Sequence, residues 1–270
     1  MPAHFLASPF ALWFLAALYR AYRNDGGGAI WLVPPLVVLV IIFVLAPQIN
    51  WWWWKRNTPD LSEGLTKLLE KHCIFYKKLP INEQKAFRGK VFMFMQASDF
   101  MAKGFPEDEV PDDLRAIIAA NAVTISCRKT DFLFPKFEQI AVYMQAFPTP
   151  RFPVLHSSEI FEDEGLLIFS GELLVHAFIQ PGHYFNIGLY EFARAARKSW
   201  PETTPWPIFS ESDWPRFLEI MPFDKTLVEA QIGLPSPDLT AVAAHHFFQN
   251  REKMAAVFPK ESADFEAIFG

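Results

Sequence analysis

The sequence contains only two cysteines, Cys73 and Cys127, among its 270 residues. At most one disulfide can form, which excludes a disulfide-stapled scaffold and a cysteine-rich zinc module. Charged residues are also sparse, at 20% against about 25% in ordinary soluble domains. Hydrophobic residues make up 51% of the chain, enough to bury a large core, and this excludes a disordered protein.

The common catalytic motifs are missing as well. The sequence has no HExxH, no phosphate-binding glycine loop, no G-x-S-x-G and no CxxC. None of its seven histidines forms an i, i+4 pair, the spacing that places two imidazoles on one helix face for zinc. Motifs alone therefore predict no catalytic site.

A net positive charge is confined to the N-terminal region. Residues 1–56 carry a net charge of +3, which leaves −8 for residues 57–270 out of a total of −5. Phosphate neutralisation dominates nucleic-acid affinity, and an acidic body without a basic stripe supplies little of it. We therefore expect no nucleic-acid partner.

Residues 29–49 form an uncharged apolar run of 21 residues. As a helix this run would be about 31 Å long, close to the roughly 30 Å hydrocarbon thickness of a bilayer. Residues 51–54 are four tryptophans, and Lys55 and Arg56 follow them. Aromatic residues and then cations are typical of the point where a helix leaves the membrane. The sequence therefore predicts a transmembrane helix that binds the membrane through residues 29–49.

A second apolar stretch, residues 5–19, is shorter and fits an interfacial helix, a short tilted span or the hydrophobic region of a signal sequence. It lacks the basic region and small-residue cleavage site of a signal sequence, so we expect it to be retained. The sequence NDGGG at 24–28 predicts a turn and makes a hairpin of the two stretches an alternative to a single pass. The chain is thus divided into an apolar segment with a Gly-rich turn (1–28), a transmembrane helix with its rim (29–56) and a body (57–270).

The body has the pattern of a single α+β domain. Apolar spacing and capping residues predict helices over 61–78, 82–95, 111–126, 186–200, 211–221 and 237–258, the last broken near Asn250. Short apolar runs predict strands over 140–147, 166–169 and 173–178.

Residues 182–194 (GHYFNIGLYEFAR) resemble the active-site helix of the Mlc titration factor A family. Members of that family are zinc-dependent peptidases, and their helix follows the pattern N-x-x-x-H-E-[FV]-[AV]-H. Asn186, Glu191, Phe192 and Ala193 match it. Blocks at 74–95, 114–126 and 241–259 also resemble the family in order and spacing. The resemblance spans residues 61–270 and implies a zincin-like metallopeptidase domain, with Glu191 at the position of the general base.

The chain differs from the family at the metal ligands. Tyr190 and Arg194 stand at the positions of the two family histidines, and Asp238 stands at the position of the third ligand, a glutamate. Arg197 replaces the aspartate that follows the family motif by three residues. The resemblance therefore implies a zinc site whose ligands have changed, while the general-base position is kept.

Arg194 is the residue least compatible with zinc. A guanidinium ~4 Å from Zn²⁺ is repelled by about 8 kcal/mol even at an effective dielectric of ~20. Tyr190 could bind only as a phenolate, from an ordinary pKa of about 10. We therefore expect no metal cofactor and a vestigial Glu191. Since two buried carboxylates without a cation are costly, we expect Arg194 to replace the metal by bridging Glu191 and Asp238.

An alternative places zinc on relocated ligands. His245 shares a helix face with Asp238, and His183 lies about two turns ahead of Glu191. With these ligands and Glu191 as general base, the protein would be an active metal-dependent peptidase. His183, His245 and Asn186 are the further candidates for residues of the cleft.

Three functions remain open at this stage. The first is a membrane-anchored pseudopeptidase that acts as a regulatory module and binds a protein or peptide in the old substrate cleft. The second is the active peptidase with relocated ligands, and the third is a structural membrane protein. Since the family's described members are mostly cytosolic, the resemblance implies a body that faces the cytoplasm.

Overall fold

A computed structural model describes residues 2–23, 29–201 and 204–270. The chain divides into two compact units, Met1–Pro59 and Asp60–Gly270, which we call the N-terminal unit and the body. The turn expected at 24–28 lies outside the described residues.

The N-terminal unit is helical. Helix α1 runs from Pro2 to Arg23 and is by itself long and apolar enough to cross a membrane. A 3₁₀ turn at Ala29–Leu32 leads into α2 (Val33–Val44) and α3 (Ala46–Arg56). Many large apolar side chains of this unit are exposed to solvent, including Phe5 and Phe43, each at 81%.

The apolar run 29–49 is divided between two helices and is not the single helix predicted, while its role as a membrane span stays a prediction. Helices α2 and α3 meet at an angle of 60°, and only the two together pass as a span. Pro47 lies in the first turn of α3, where it lacks the N–H needed to continue the bonding ladder of α2. At the end of α3, the guanidinium of Arg56 stacks on the ring of Trp52, 4.0 Å from its centroid.

The body is a mixed α+β domain, as predicted. Its helices are α4 (Glu63–His72), α5 (Ile74–Lys78), α6 (Ile81–Ala97), α7 (Asp112–Ser126), α8 (Gly171–Ile179), α9 (Ile187–Ser199), α10 (Trp214–Ile220), α11 (Lys225–Ile232), α12 (Leu239–Gln249), α13 (Arg251–Val257) and α14 (Pro259–Phe269).

One four-stranded sheet accompanies these helices in the described residues. Its strands are β1 (Asp99–Lys103), β2 (Gln139–Tyr143), β3 (Ser158–Phe161) and β4 (Leu166–Ser170). Their order is β1-β2-β4-β3, with β1, β2 and β4 parallel and β3 antiparallel to β4. Strand β3 therefore forms one edge of the sheet.

Helices α7, α9 and α12 form the centre of the body. Alanine is frequent in all three, and nearly every residue of α7 is buried. Gly188 on α9 faces Asn121 on α7 so closely that an added Cβ would lie 2.5 Å from the Asn121 amide nitrogen. Small residues thus let these backbones approach closely and position α9 against the sheet.

Several element predictions need correction. Residues 173–178 belong to helix α8, not to a strand, because Ser170 caps the helix by accepting a hydrogen bond from the Leu173 N–H. The predicted helix over 61–78 is interrupted at Cys73, whose backbone is extended. Four elements were not predicted: β1, β3, α11 and α14.

Candidate functional site

Helix α9 begins at a capping residue that is held on three sides. The Asn186 side chain accepts a hydrogen bond from the Leu189 N–H and donates one to the side-chain oxygen Oδ1 of Asn121, at 3.1 and 2.9 Å. Its backbone N–H donates to Nε2 of His245 at 3.2 Å. Asn186 is therefore an anchor between α7, α9 and α12, buried in the core.

His245 belongs to the same interior network. Its Nδ1 lies 3.1 Å from Nδ1 of His246, and its ring packs on Phe185. Burial lowers the pKa of His246 to about 4 and that of His245 well below its ordinary value, so both imidazoles are neutral. Since Nε2 of His245 already accepts the Asn186 N–H, this histidine serves packing and capping.

Glu191 and Arg194 form an ion pair on the side of α9 that faces strand β3. Nη1 of Arg194 donates to both carboxylate oxygens of Glu191, at 3.0 and 2.8 Å. The Ser158 hydroxyl of β3 donates to the same carboxylate at 2.8 Å. Glu191 is fully buried, whereas 26% of the Arg194 side chain is exposed.

Burial and ion pairing shift the pKa values of Glu191 and Arg194 in opposite directions. Burial raises the pKa of the Glu191 carboxyl, and the Arg194 charge and the Ser158 hydrogen bond oppose that rise. Burial is the largest single influence on the pKa of Arg194 and acts to lower it, but Glu191, Tyr190 and Asp238 together outweigh burial, so this pKa is raised. The guanidinium is charged at every physiological pH.

Asp238 has different partners from those predicted. Its carboxylate accepts from the Thr240 and Ala241 N–H groups at the start of α12 and from Nη1 of Arg197, at 3.1 Å to each oxygen. Within the described part of the chain, no ion pair joins Asp238 to Arg194. The predicted bridge is thus half right: Arg194 pairs with Glu191, but Arg197 neutralises Asp238.

Tyr190 lies one residue before Glu191, and its ring lies under the Arg194 guanidinium, 5.5 Å from centroid to Cζ. The phenol oxygen accepts a hydrogen bond from the Asp238 N–H at 2.9 Å. Burial raises the pKa of this phenol above its ordinary value, so Tyr190 carries its hydrogen.

A cavity of about 290 Å³ opens in front of these side chains. One wall is α9, with Tyr190, Glu191 and Arg194, and another is strand β3, with Glu159 and Ile160. The remaining walls are the segments around Arg151–Phe152 and Ile232–Asp238. We call this space the α9–β3 cavity.

A second buried carboxylate, that of Glu159, reaches this cavity. Its Oε2 accepts from the Thr149 hydroxyl at 2.8 Å and lies 3.2 Å from Nε2 of His156. Nδ1 of His156 contacts the Val154 carbonyl oxygen, which can only accept, so Nδ1 carries a hydrogen. Glu159 is thus held through Oε2 by Thr149 and His156, while its buried Oε1 has no partner among the described residues.

The residues at the family's metal positions do not fit zinc. A catalytic zinc site needs lone pairs from three protein ligands. Here Arg194 presents N–H groups, Tyr190 presents a protonated phenol, and the Asp238 oxygens are taken by Arg197 and the α12 backbone. No step of a zinc mechanism can be built on this donor set.

The relocated ligand set is not assembled either. It needs Arg194 to turn out of the cavity and His183 and His245 to turn in, but Arg194 turns in and His245 lies in the core. His183 is exposed in the turn before α9. Across residues 2–23, 29–201 and 204–270, no three His, Cys, Asp or Glu side chains cluster closely enough to hold a metal ion.

The sequence defines the chain as a relative of metallopeptidases. The sequence model of the glucose-regulated metallo-peptidase family M90 matches residues 49–197, just over half of the chain. The protein therefore belongs to this family, which confirms the relationship predicted from residues 182–194. The matched region ends at residue 197, two residues before the end of α9, and does not reach Asp238. The chain matches no curated protein.

The sequence analysis did not identify three residues that contribute to the site: Ser158, Glu159 and Arg151. Ser158 and Glu159 lie on β3, a four-residue strand that begins with polar residues and gives no alternating apolar signal. Arg151 lies in a loop. Arg197 was noted only as a departure from the family pattern, yet a cation three residues after Arg194 on α9 was a usable signal for a partner of Asp238.

Proposed function

We propose that the body is a pseudopeptidase of the M90 family, which binds peptides in the α9–β3 cavity without hydrolysing them. The observation that carries this proposal is the ion pair between Arg194 and Glu191. It gives the general-base carboxylate a fixed cationic partner from the chain itself, and it brings N–H donors to a position where zinc requires lone pairs.

The edge strand β3 supports peptide binding. The Ser170 N–H donates to the Ser157 carbonyl oxygen, which makes 157/170 a hydrogen-bonded pair of the ladder. By alternation, the backbone groups of Glu159 and Phe161 face β4, and those of Ser158 and Ile160 face the outer edge. Ser158 is fully buried, but Ile160 borders the cavity, so an extended peptide can add at the Ile160 end of this edge through backbone hydrogen bonds, with its side chains in the cavity.

We also propose that the N-terminal unit anchors the protein in a membrane. Its support is the length and apolar character of α1 together with the broad exposure of apolar side chains such as Phe5 and Phe43. The cytoplasmic location of the body stays a prediction. Protease treatment of sealed, oriented vesicles tests it, because a cytoplasmic body is digested only from the cytoplasmic side.

Metal content tests the central claim. The full-length protein in detergent micelles is dialysed against trace zinc, and bound metal is measured by mass spectrometry. We expect almost no zinc in the wild type and no peptide cleavage that a chelator abolishes. The double variant Tyr190→His, Arg194→His restores two imidazoles and serves as the positive arm, with increased zinc uptake. One zinc per wild-type chain with chelator-sensitive cleavage would overturn the proposal.

A further inference from the structure

Arg194 has hydrogen-bond donors to spare. A guanidinium carries five N–H groups, and the two on Nη1 point at the Glu191 oxygens. Among the described residues, no acceptor takes the three on Nε and Nη2. Since Arg194 lines the α9–β3 cavity and is partly exposed, these N–H groups are accessible from it.

Tyr190 adds a second donor at the same place. Its oxygen accepts the Asp238 N–H, and its own hydrogen is donated to no group in the described part of the chain. Tyr190 and Arg194 are four residues apart, hence on one face of α9. Both positions that carry metal-ligating histidines in the family resemblance thus carry donors here.

The charges around the cavity leave room for an anion. Glu191 is paired with Arg194 and Asp238 with Arg197, while Glu159 accepts from Thr149 and contacts His156. Arg151, a further lining residue, is exposed, and among the described residues its one recorded contact is a cation–π contact with the neighbouring Phe152 ring. Two of the three lining carboxylates are thus paired with guanidiniums, and the free donors of Arg194 and the cation Arg151 remain for an anion.

We propose that the α9–β3 cavity binds the free C-terminal carboxylate of a peptide, held by Nε and Nη2 of Arg194 and by the Tyr190 hydroxyl. A guanidinium edge matches a carboxylate with two parallel hydrogen bonds. The peptide chain preceding the carboxylate passes the Ile160 end of β3, which borders the cavity. Glu159 Oε1, which is buried and has no partner in the described residues, accepts an N–H of the ligand. This inference rests on the proposed function and names its ligand class.

The test compares peptide acids with peptide amides. The full-length protein in detergent micelles captures peptides from two random-sequence synthetic pools, one with free C-terminal carboxylates and one with C-terminal amides. The best-retained peptide is then synthesised in both forms with an N-terminal fluorophore, and fluorescence anisotropy gives the two dissociation constants. We expect the acid to bind about 10-fold more tightly or better, as a charge-assisted pair provides.

Variants locate the carboxylate on α9. Tyr190→Phe keeps the buried ring and removes one donor, so we expect the preference for the acid to fall several-fold. The double variant Glu191→Gln, Arg194→Gln removes the guanidinium without leaving a buried charge, and we expect it to abolish the preference. Lys198→Gln is the matched control, because it removes a cation of α9 that instead pairs with Glu162.

The possible outcomes distinguish a failure of this inference from a failure of the proposed function. Equal binding of acid and amide overturns the carboxylate inference and leaves peptide binding intact. Retention of neither pool overturns both. Acetate or succinate that competes at the same concentration as the peptide acid overturns the peptide part, since the ligand is then a free carboxylate. A Tyr190→Phe protein with an unchanged preference overturns the assignment to α9.

Discussion

Removal of Arg194 is the most informative single perturbation of this protein. The Arg194→Gln variant leaves the fully buried Glu191 carboxylate with Ser158 as its remaining side-chain partner. Breaking a buried ion pair from one side costs about 3–5 kcal/mol of unfolding free energy. Because 26% of the Arg194 side chain is exposed, water reaches part of the pair, and we expect a loss at the lower end, about 3 kcal/mol.

The loss depends on pH in a defined direction. Burial already raises the pKa of Glu191, and Arg194 opposes that rise, so the variant raises it further. The folded variant then holds a proton that the unfolded chain has released above about pH 4.3. Stability therefore falls as pH rises through this window, by up to about 1.4 kcal/mol per pH unit. We expect the deficit to be largest above pH 7 and to shrink towards about pH 5.

Thiol labelling of Cys73 measures this loss in the intact protein. Cys73 lies in the body and is buried, and burial raises its pKa to about 11, so it reacts only when the body unfolds. In a Cys127→Ser background, a fluorogenic maleimide reports the denaturant midpoint without interference from detergent. The reasoning is refuted if Arg194→Gln costs under 1 kcal/mol at neutral pH, or if its deficit does not shrink in acid.

Two matched variants complete the measurement. Lys198→Gln breaks an exposed pair with Glu162 on the same helix, and we expect it to cost under about 1 kcal/mol. The double variant Glu191→Gln, Arg194→Gln removes both charges together and keeps an acceptor for Ser158. We expect it to recover most of the stability and to lose the pH dependence, because no buried charge is left unpaired.

Three further results follow from the packing of the body. Gly188→Ala forces a methyl group into the Asn121 side chain and should cost about 1–3 kcal/mol in chemical denaturation; a neutral effect would contradict the close approach. Gly233→Ala places a Cβ 2.5 Å from the Leu155 carbonyl oxygen at a φ of +82°, so it should unfold the body or shift its melting temperature by several degrees. In the folded protein, Cys73 should stay unlabelled by maleimide at about pH 8, and rapid labelling would show that its site opens.

The sequence predicted the helices at the centre of the body well. For α9 and α12 the helical apolar spacing predicted the elements correctly, and local signals of this kind survive folding. Asn186 and Asp238, which cap these helices, were singled out from the family pattern and not as caps. The break near Asn250 was also correct. Strand β3 was invisible, because a four-residue strand gains its stability from a partner far along the chain and not from its own residues.

Only contacts within one helix of the site could be predicted, because residue spacing along that helix determines them. Glu191 and Arg194 are three residues apart on α9, so their contact follows from helix geometry. The partner of Asp238 did not follow, because Arg194 and Arg197 lie on the same helix and only the position of the Ile232–Asp238 segment selects between them. Likewise, the sequence alone leaves His245 available as a ligand, whereas in the structure the Asn186 N–H donates to its Nε2.

The cation beside Glu191 is the Arg194 side chain and not a bound metal ion. This difference affects how many copies of the protein can bind a ligand. A metal centre must be loaded after synthesis, competes for a limited ion and empties when its histidine ligands are protonated. The Arg194 guanidinium is present in every folded copy and keeps its proton across the physiological range. Under the proposed function, recognition at the α9–β3 cavity is therefore independent of zinc availability and of chelators, and the abundance of the protein alone sets the number of working sites.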